Sequence, residues 1–245
     1  MVERQHRSPL NLYTTATIAA GASLDLPEEA AHHARVRRVQ PGDPVQLSDG
    51  AGTLGEGVIE SVTKSSIRVA VHTTTSVQRP PALHMLVPVA DRDRMLVAAE
   101  KCAELQVTSW QPVLWVRSRS VSPRGEGERF REKVAARMVA ALEQSGGAWL
   151  PELHMEADPA PILEAIDVPA RFILHPSGAP LRPADARAPA ALAIGPEGGF
   201  EPEELSLATS LGWNTVALGT SILRFETAVI AGAAVIRANQ YLTRS

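Results

Sequence analysis

A chain of 245 residues, 44% hydrophobic and 21% charged, holds enough apolar material for one large domain or two modest ones. Twenty-four Lys and Arg against 27 Asp and Glu leave a formal charge of −3, which excludes a protein that coats nucleic acid by bulk charge; such contacts must be local. No apolar run reaches the ~18 to 20 residues that span a bilayer, Met1 to Arg7 lacks the apolar core of a signal peptide, and the one cysteine, Cys102, permits no internal disulfide or thiolate metal cage. A soluble, cytoplasmic protein is expected.

Pro27 to Val39 reads as a short helix with Ala30 and Ala34 inward. Around it lie short β-type runs, Pro44 to Leu47, Gly57 to Val62 and Ile67 to Val71. They are separated by turn formers such as Pro41-Gly42-Asp43, and Asp49-Gly50 is a hairpin signal. Residues 1–72 therefore form a small, mostly β module, and 73–82, polar and carrying Pro80-Pro81, read as a linker. From 83 to 245 strand and helix alternate. Leu83 to Val89 is a strand, and Asp91 is placed to cap a helix from Arg92 to Leu105. Glu126 to Gln144 is a second helix, ended by Gly146. Phe172 to Leu174 and Leu192 to Ile194 are short buried strands, separated by an Ala/Pro-rich loop, Pro176 to Pro189. Glu201 to Leu211 is a helix ended by Gly212, Thr215 to Leu218 a strand, and Glu226 to Tyr241 the closing helix. Repeated βα units call for a parallel sheet covered on both faces, an α/β fold.

The chain carries no Gly-x-Ser-x-Gly elbow, Walker loop, Gly-x-Gly-x-x-Gly or His-Glu-x-x-His. His32 and His33, adjacent on a helix, point apart and make a poor metal clamp, so no metal is expected. Cys102 lies on an apolar helix face, the place of an inert buried thiol. Two segments stand out. Ile194-Gly195-Pro196-Glu197-Gly198-Gly199-Phe200 leaves a strand and enters a helix, where parallel sheets bind ligands; its glycines let backbone amides approach a ligand, although an ordinary tight turn has the same composition. Leu218 to Ala228 makes the same strand-to-helix passage and sets Arg224 and Glu226 at the helix start. Glu226 there suits the helix dipole without any further role. Arg224, among Ile222, Leu223 and Phe225, calls for a partner. The two turns can wall one pocket.

On these residues the chain resembles the RsmE family of the SPOUT (trefoil-knot) methyltransferases. The matching stretches, in family order, are His32-His33 with Arg35 to Arg38, Pro41-Gly42-Asp43, Asp93-Arg94-Met95 and Lys101 with Glu104-Leu105. They continue with Glu143 to Gly146, Ile194 to Phe200, Leu218-Gly219, Ile222 to Arg224 and Glu226 to Ala228. The resemblance implies an N-terminal PUA-like β-barrel for RNA, followed by a C-terminal knotted α/β domain that binds S-adenosylmethionine and works as a homodimer. It also implies methylation of N3 of a uridine in 16S ribosomal RNA of the small subunit. The cofactor is then surrounded by Leu174, Ile194, Gly195, Pro196, Glu197, Gly198, Gly199, Leu218, Gly219, Ser221, Ile222, Leu223 and Arg224. Two positions depart from the pattern, Gly147 and Ser221, where the family usually has arginine, and Glu201 stands where Ser or Thr commonly caps the next helix. A SPOUT enzyme with a drifted target, or a silent RNA-binding assembly factor, are the competing readings.

Uridine N3 becomes nucleophilic only as its proton leaves, and the negative charge spreads to the flanking carbonyl oxygens. A fixed cation stabilises that charge. Arg224 is the candidate, and Glu197 or Glu226 can accept the proton or orient the arginine. RNA contacts are expected from Arg4, Arg7, His33, Arg35, Arg37, Arg38, Arg94, Lys101, Arg117 and Arg119. Residues 30–40 hold three arginines and no acid, which favours phosphate. Residues 117–137 carry a net +4 that a solvated, ion-paired helix face explains equally well.

Overall fold

The computed structural model describes residues 8–120, 124–182, 185 and 187–242, with nothing described for the side chains of 119 and 120. They fall into two compact units, one drawn from within Met1–Arg79 and Val139–Leu150, the other from Pro80–Met138 and Pro151–Ser245.

The first unit is a curled five-stranded sheet with one helix. β1 (Leu10–Tyr13), β2 (Ser23–Leu26), α1 (Glu28–Val36), β3 (Pro44–Ser48), β4 (Thr53–Val62) and β5 (Ile67–Ser76) give the strand order β1-β3-β4-β5-β2. Alternation sets the faces: on β5, Ile67, Val69 and Val71 are buried while Arg68 and His72 face outward. Those residues meet Leu12, Leu26, Leu47 and Ile59 in one core, closed by the small Ala30, Ala31 and Ala34 of α1. Register shifts at Glu56/Gly57 and Ile59/Ser61 bend the β4–β5 ladder. The expected connector begins later than residue 73: Thr73 to Ser76 pair with Glu56 to Thr53 as the end of β5, because β-branched threonines suit an exposed ladder.

Residues 139–150 belong to this unit through specific bonds. Glu143 accepts from the Tyr13 amide (2.9 Å), stands 3.4 Å from His33 Nδ1, and its carbonyl accepts from the Asn11 side chain (2.8 Å). The Gly52 amide donates to Ala148 O (2.8 Å) and the Trp149 indole to Val77 O (3.2 Å). Glu143→Ala is expected to strip the Tyr13 amide of its partner and cost about 2 kcal/mol, read as a lower melting temperature for the first unit.

The second unit is a six-stranded, all-parallel sheet in the order β11-β9-β10-β6-β7-β8. Its elements are β6 (Leu83–Pro88), α2 (Arg92–Glu104), β7 (Ser109–Val113), a 3₁₀ turn (Val116–Ser120) and α3 (Glu128–Ser145). They continue with β8 (Glu152–Leu153), α4 (Pro159–Ala165), β9 (Ala170–Pro180), β10 (Ala190–Ile194), α5 (Pro202–Ser210), β11 (Asn214–Ala217) and α6 (Phe225–Tyr241). β7 and β10 are buried at every position, as a sheet covered on both faces requires. Asp91 caps α2 by accepting from the Arg94 amide (3.1 Å), and Gly146 and Gly212 end their helices at φ +67° and +80°, as expected. The span from Pro176 to Pro180 is strand rather than loop. β9 pairs with β11 at Ile173↔Thr215 and resumes at Ala179↔Val216. Residues 174–178 have no partner on β11 and bulge from that side of the ladder.

α6 is anchored by Arg237, only 4% exposed. Its guanidinium donates to the carbonyls of Leu105 (3.1 Å), Gln106 (2.6 Å) and Pro81 (2.7 Å) and to Gln240 Oε1 (2.6 Å). Leu105 ends α2, so the cation sits where that helix's carbonyl dipoles converge.

Candidate functional site

The bulge of β9, the turn after β10 and the turn after β11 converge at the carboxyl ends of their strands. They enclose a cleft of ≈ 350 Å³, within the usual range of small-ligand sites. Leu174 comes from β9. Ile194, Gly195, Pro196, Glu197, Gly198 and Gly199 come from the first turn, and Leu218, Gly219, Ser221, Ile222 and Leu223 from the second; all line it. A larger open groove of ≈ 860 Å³ runs along β9 and β11 past Arg182 and Asp185, but neither glycine turn lines it and the ion pair in it is closed on itself.

The local sequence dictates this shape. Gly199 sits at φ +74°, closing a turn in which its amide donates to Pro196 O (2.8 Å); a side chain there is strained. A Cβ on Gly195 would lie 2.9 Å from the Phe200 ring. That ring packs edge-on against Trp115, centroids 4.8 Å apart, and pins the turn to the core. The walls are thus largely glycine backbone and apolar side chains.

Arg224 is exposed at the N-cap of α6, and no described residue pairs with it. It flanks the lining Phe225 without lining the cleft itself. Glu226, in the first turn of α6, is half-buried, and its Oε2 is fully buried with no hydrogen-bond partner among the described residues. Glu197 is engaged: its carboxylate forms an ion pair with Arg94. The two acids the sequence could not rank therefore differ in environment.

Seven lining residues lie beyond the expected set: Arg117, His175, Pro176, Phe200, Ala217, Phe225 and Ala228. Sequence adjacency points to several of them. His175 follows Leu174, and its Nδ1 accepts from the Ser177 amide (3.2 Å) and lies 2.8 Å from Ser177 Oγ. A ring nitrogen that accepts from an amide carries no proton, so neutral His175 holds its proton on Nε2.

The residues expected to bind RNA fall in both units. On α1 and just beyond it, Arg35, Arg37 and Arg38 are exposed. Arg35 donates to Thr63 O (2.8 Å) and Lys64 O (2.7 Å), neither of which cancels its charge. His33 faces Glu143. Lys101 lies between Glu100 (2.8 Å) and Glu104 (2.6 Å), whose carboxylates push its pKa up. Arg117 is bound to Glu201, which raises its pKa. Arg4, Arg7 and the side chain of Arg119 lie outside the described residues. Burial pushes the Cys102 thiol well up, away from nucleophile chemistry. Among the described residues, no group of three or more His, Cys, Asp or Glu is placed to hold a metal ion, and no helix is long and apolar enough to cross a membrane.

Comparison with known proteins agrees with this architecture. The model of the RNA methyltransferase domain matches residues 78–237, and that of the RNA methyltransferase PUA domain matches 26–71. The ribosomal RNA small subunit methyltransferase E of Mycobacterium tuberculosis is 31% identical over 216 residues, covering 82% of this chain and 80% of its own. The Synechocystis protein of the same name is 28% identical over 212 residues, covering 83% and 69%. A Legionella pneumophila methyltransferase solved with bound S-adenosylmethionine superposes with a TM-score of 0.84 at 26% identity over 95% of this chain and 98% of that one. The Neisseria gonorrhoeae ribosomal RNA small subunit methyltransferase E, bound to the same molecule, gives 0.80 at 26% over 94% and 98%. The curled sheet is a PUA-like module and the parallel sheet a SPOUT-type methyltransferase domain. With both domain models matched and a relative 31% identical over four-fifths of both chains, the chain belongs to the ribosomal RNA small subunit methyltransferase E family.

Proposed function

We propose that the protein transfers a methyl group from S-adenosylmethionine to N3 of one uridine in 16S ribosomal RNA, acting as a cytoplasmic homodimer whose C-terminal domain is knotted. The observation that carries this reading is the meeting of the two glycine-bearing turns in one cleft. The cleft fits the ligand. Leu174, Ile194, Leu218, Ile222 and Leu223 offer apolar surface for an adenine ring, and the glycine backbone admits close amide contacts. When bound, the sulfonium supplies an electrophilic methyl that needs no further activation. The chain's task is to align donor and acceptor and exclude water.

The residues divide as follows. Arg224, a cation with no partner among the described residues, stabilises the negative charge that develops on the uracil carbonyls. Glu226 is the favoured proton acceptor of the two acids: its Oε2 has no hydrogen-bond partner among the described residues, whereas the Glu197 carboxylate is taken by Arg94. Glu197 holds its turn through Arg94. Arg35, Arg37 and Arg38 grip phosphate, and the target base must leave its stack to reach a pocket. The dimer reading is supported by apolar surface on and near α6: Ile222 is 86% exposed, Tyr241 57% and Leu242 68%. Calorimetry with S-adenosylmethionine is expected to show binding, and none would favour a silent assembly factor. Mass mapping of 16S RNA from a strain lacking the gene is expected to show one lost uridine N3-methyl; loss of a methyl elsewhere assigns a drifted target.

A further inference from the structure

The turn from Gly195 to Gly199 lines the cleft, yet three of its five residues are glycine, the residue with the most backbone freedom to lose on ordering. The glycines have no side chains to hold their part of the turn, so tethers to neighbouring elements must. The structure shows two arginines supplying them. Arg117, on the 3₁₀ turn after β7, donates through one N–H to Gly198 O and through two others to both carboxylate oxygens of Glu201, at 2.9 and 3.2 Å. Arg94, in the first turn of α2, forms an ion pair with Glu197. The 3₁₀ turn is itself fastened to the same place. The buried Glu204 accepts from the Val116 amide with one oxygen and from the Glu201 amide with the other, both at 2.8 Å. Glu204 therefore joins the segment that carries Arg117 to the helix start that follows the glycines. Glu201, the departure from the usual cap residue, gives its carboxylate to Arg117.

We propose that Arg117 and Arg94 are positioning residues that preset the glycine turn for its ligand, rather than contacts for RNA phosphate. Both cations are already engaged by carboxylates, which leaves them poor phosphate ligands. Exposed ion pairs add little to global stability, but a bidentate guanidinium fork that also holds a backbone carbonyl is among the stronger kinds. A modest bias is enough here. A turn that is binding-competent for only a tenth of the time weakens apparent affinity about tenfold, while the fold is unaffected. The identity of the ligand rests on the function proposed above; the bracing of the turn does not.

The test compares the wild-type protein with Arg117→Ala, Arg117→Lys and Glu201→Gln, and with the charge-exchanged pair Arg117→Glu with Glu201→Arg. In the ligand-free protein, amide hydrogen exchange across residues 198–200 is expected to speed up about tenfold in Arg117→Ala. The Kd and KM for S-adenosylmethionine should rise by about the same factor, with kcat at saturation retained. Arg117→Lys, which keeps the charge and loses the fork, should fall between, and the exchanged pair should recover part of the loss. Filter binding to purified 16S RNA should change by less than about twofold. Unchanged exchange and cofactor affinity together with weakened RNA binding would overturn the proposal. If the wild-type protein itself does not bind S-adenosylmethionine, the proposed function fails, and the exchange data alone decide whether the turn is braced.

Discussion

Arg224→Ala is expected to lower kcat for methyl transfer about a hundred- to a thousand-fold, the loss seen when a single preorganised donor to a developing oxyanion is removed. Cofactor affinity and melting temperature should hardly move. The side chain is exposed and pairs with no described residue, so its removal breaks no bond among the described residues, and surface changes of this kind stay within about 0.5 kcal/mol. Arg224→Lys keeps the charge but not the planar fork and should recover part of the rate. Single-turnover transfer at saturating cofactor measures the chemical step apart from binding. A rate near that of the wild type would remove Arg224 from the mechanism and direct attention to His175, which lines the cleft and whose Nε2 is left free to donate by the amide bond at Nδ1.

The largest effect on stability is expected at Arg237. Its guanidinium satisfies three carbonyls and one side-chain amide oxygen in a dry position. Alanine would leave Pro81, Leu105 and Gln106 without that donor, at about 1–3 kcal/mol for each group not rescued by water. A total of about 3–5 kcal/mol is expected, the range for opening a buried charged network. For a unit of this size that corresponds to a fall of roughly 10 °C in melting temperature. Arg237→Met restores volume but not hydrogen bonds and should recover little. A change under about 2 °C in calorimetry would show that the carbonyls find other donors.

Much of this was legible in the sequence wherever one local rule decided the outcome. The alternation of Ile67, Val69 and Val71 fixed a strand, Asp91 fixed the start of α2, and Gly146 and Gly212 fixed helix ends through their left-handed backbone. The glycine turns stood out because a wall made of backbone needs residues without side chains. Where tertiary context decides, the signal was absent. β7 reads Ser-Trp-Gln-Pro-Val, with neither alternation nor a β-branched run, and is a strand because β6 and β8 pair with it. The extension of β9 through Pro180 was hidden by Pro176, Ser177 and Gly178, which mark a loop in isolation and here form the bulge beside the cleft. Arg117 looked like one member of a solvated basic cluster. Its role depends on Glu201, 84 positions onward, a separation no periodicity reports.

α3 is one continuous helix, yet its final turns and the residues up to Leu150 complete the first unit. During synthesis, the strands up to Ser76 leave the ribosome well before Glu143, Ala148 and Trp149 exist to satisfy Tyr13, Gly52 and Val77. At about 5–20 residues per second, that interval lasts several seconds. The nascent N-terminal module thus waits, its sheet edge open, for a clasp encoded well downstream, and a fragment ending at Arg79 would lack it permanently.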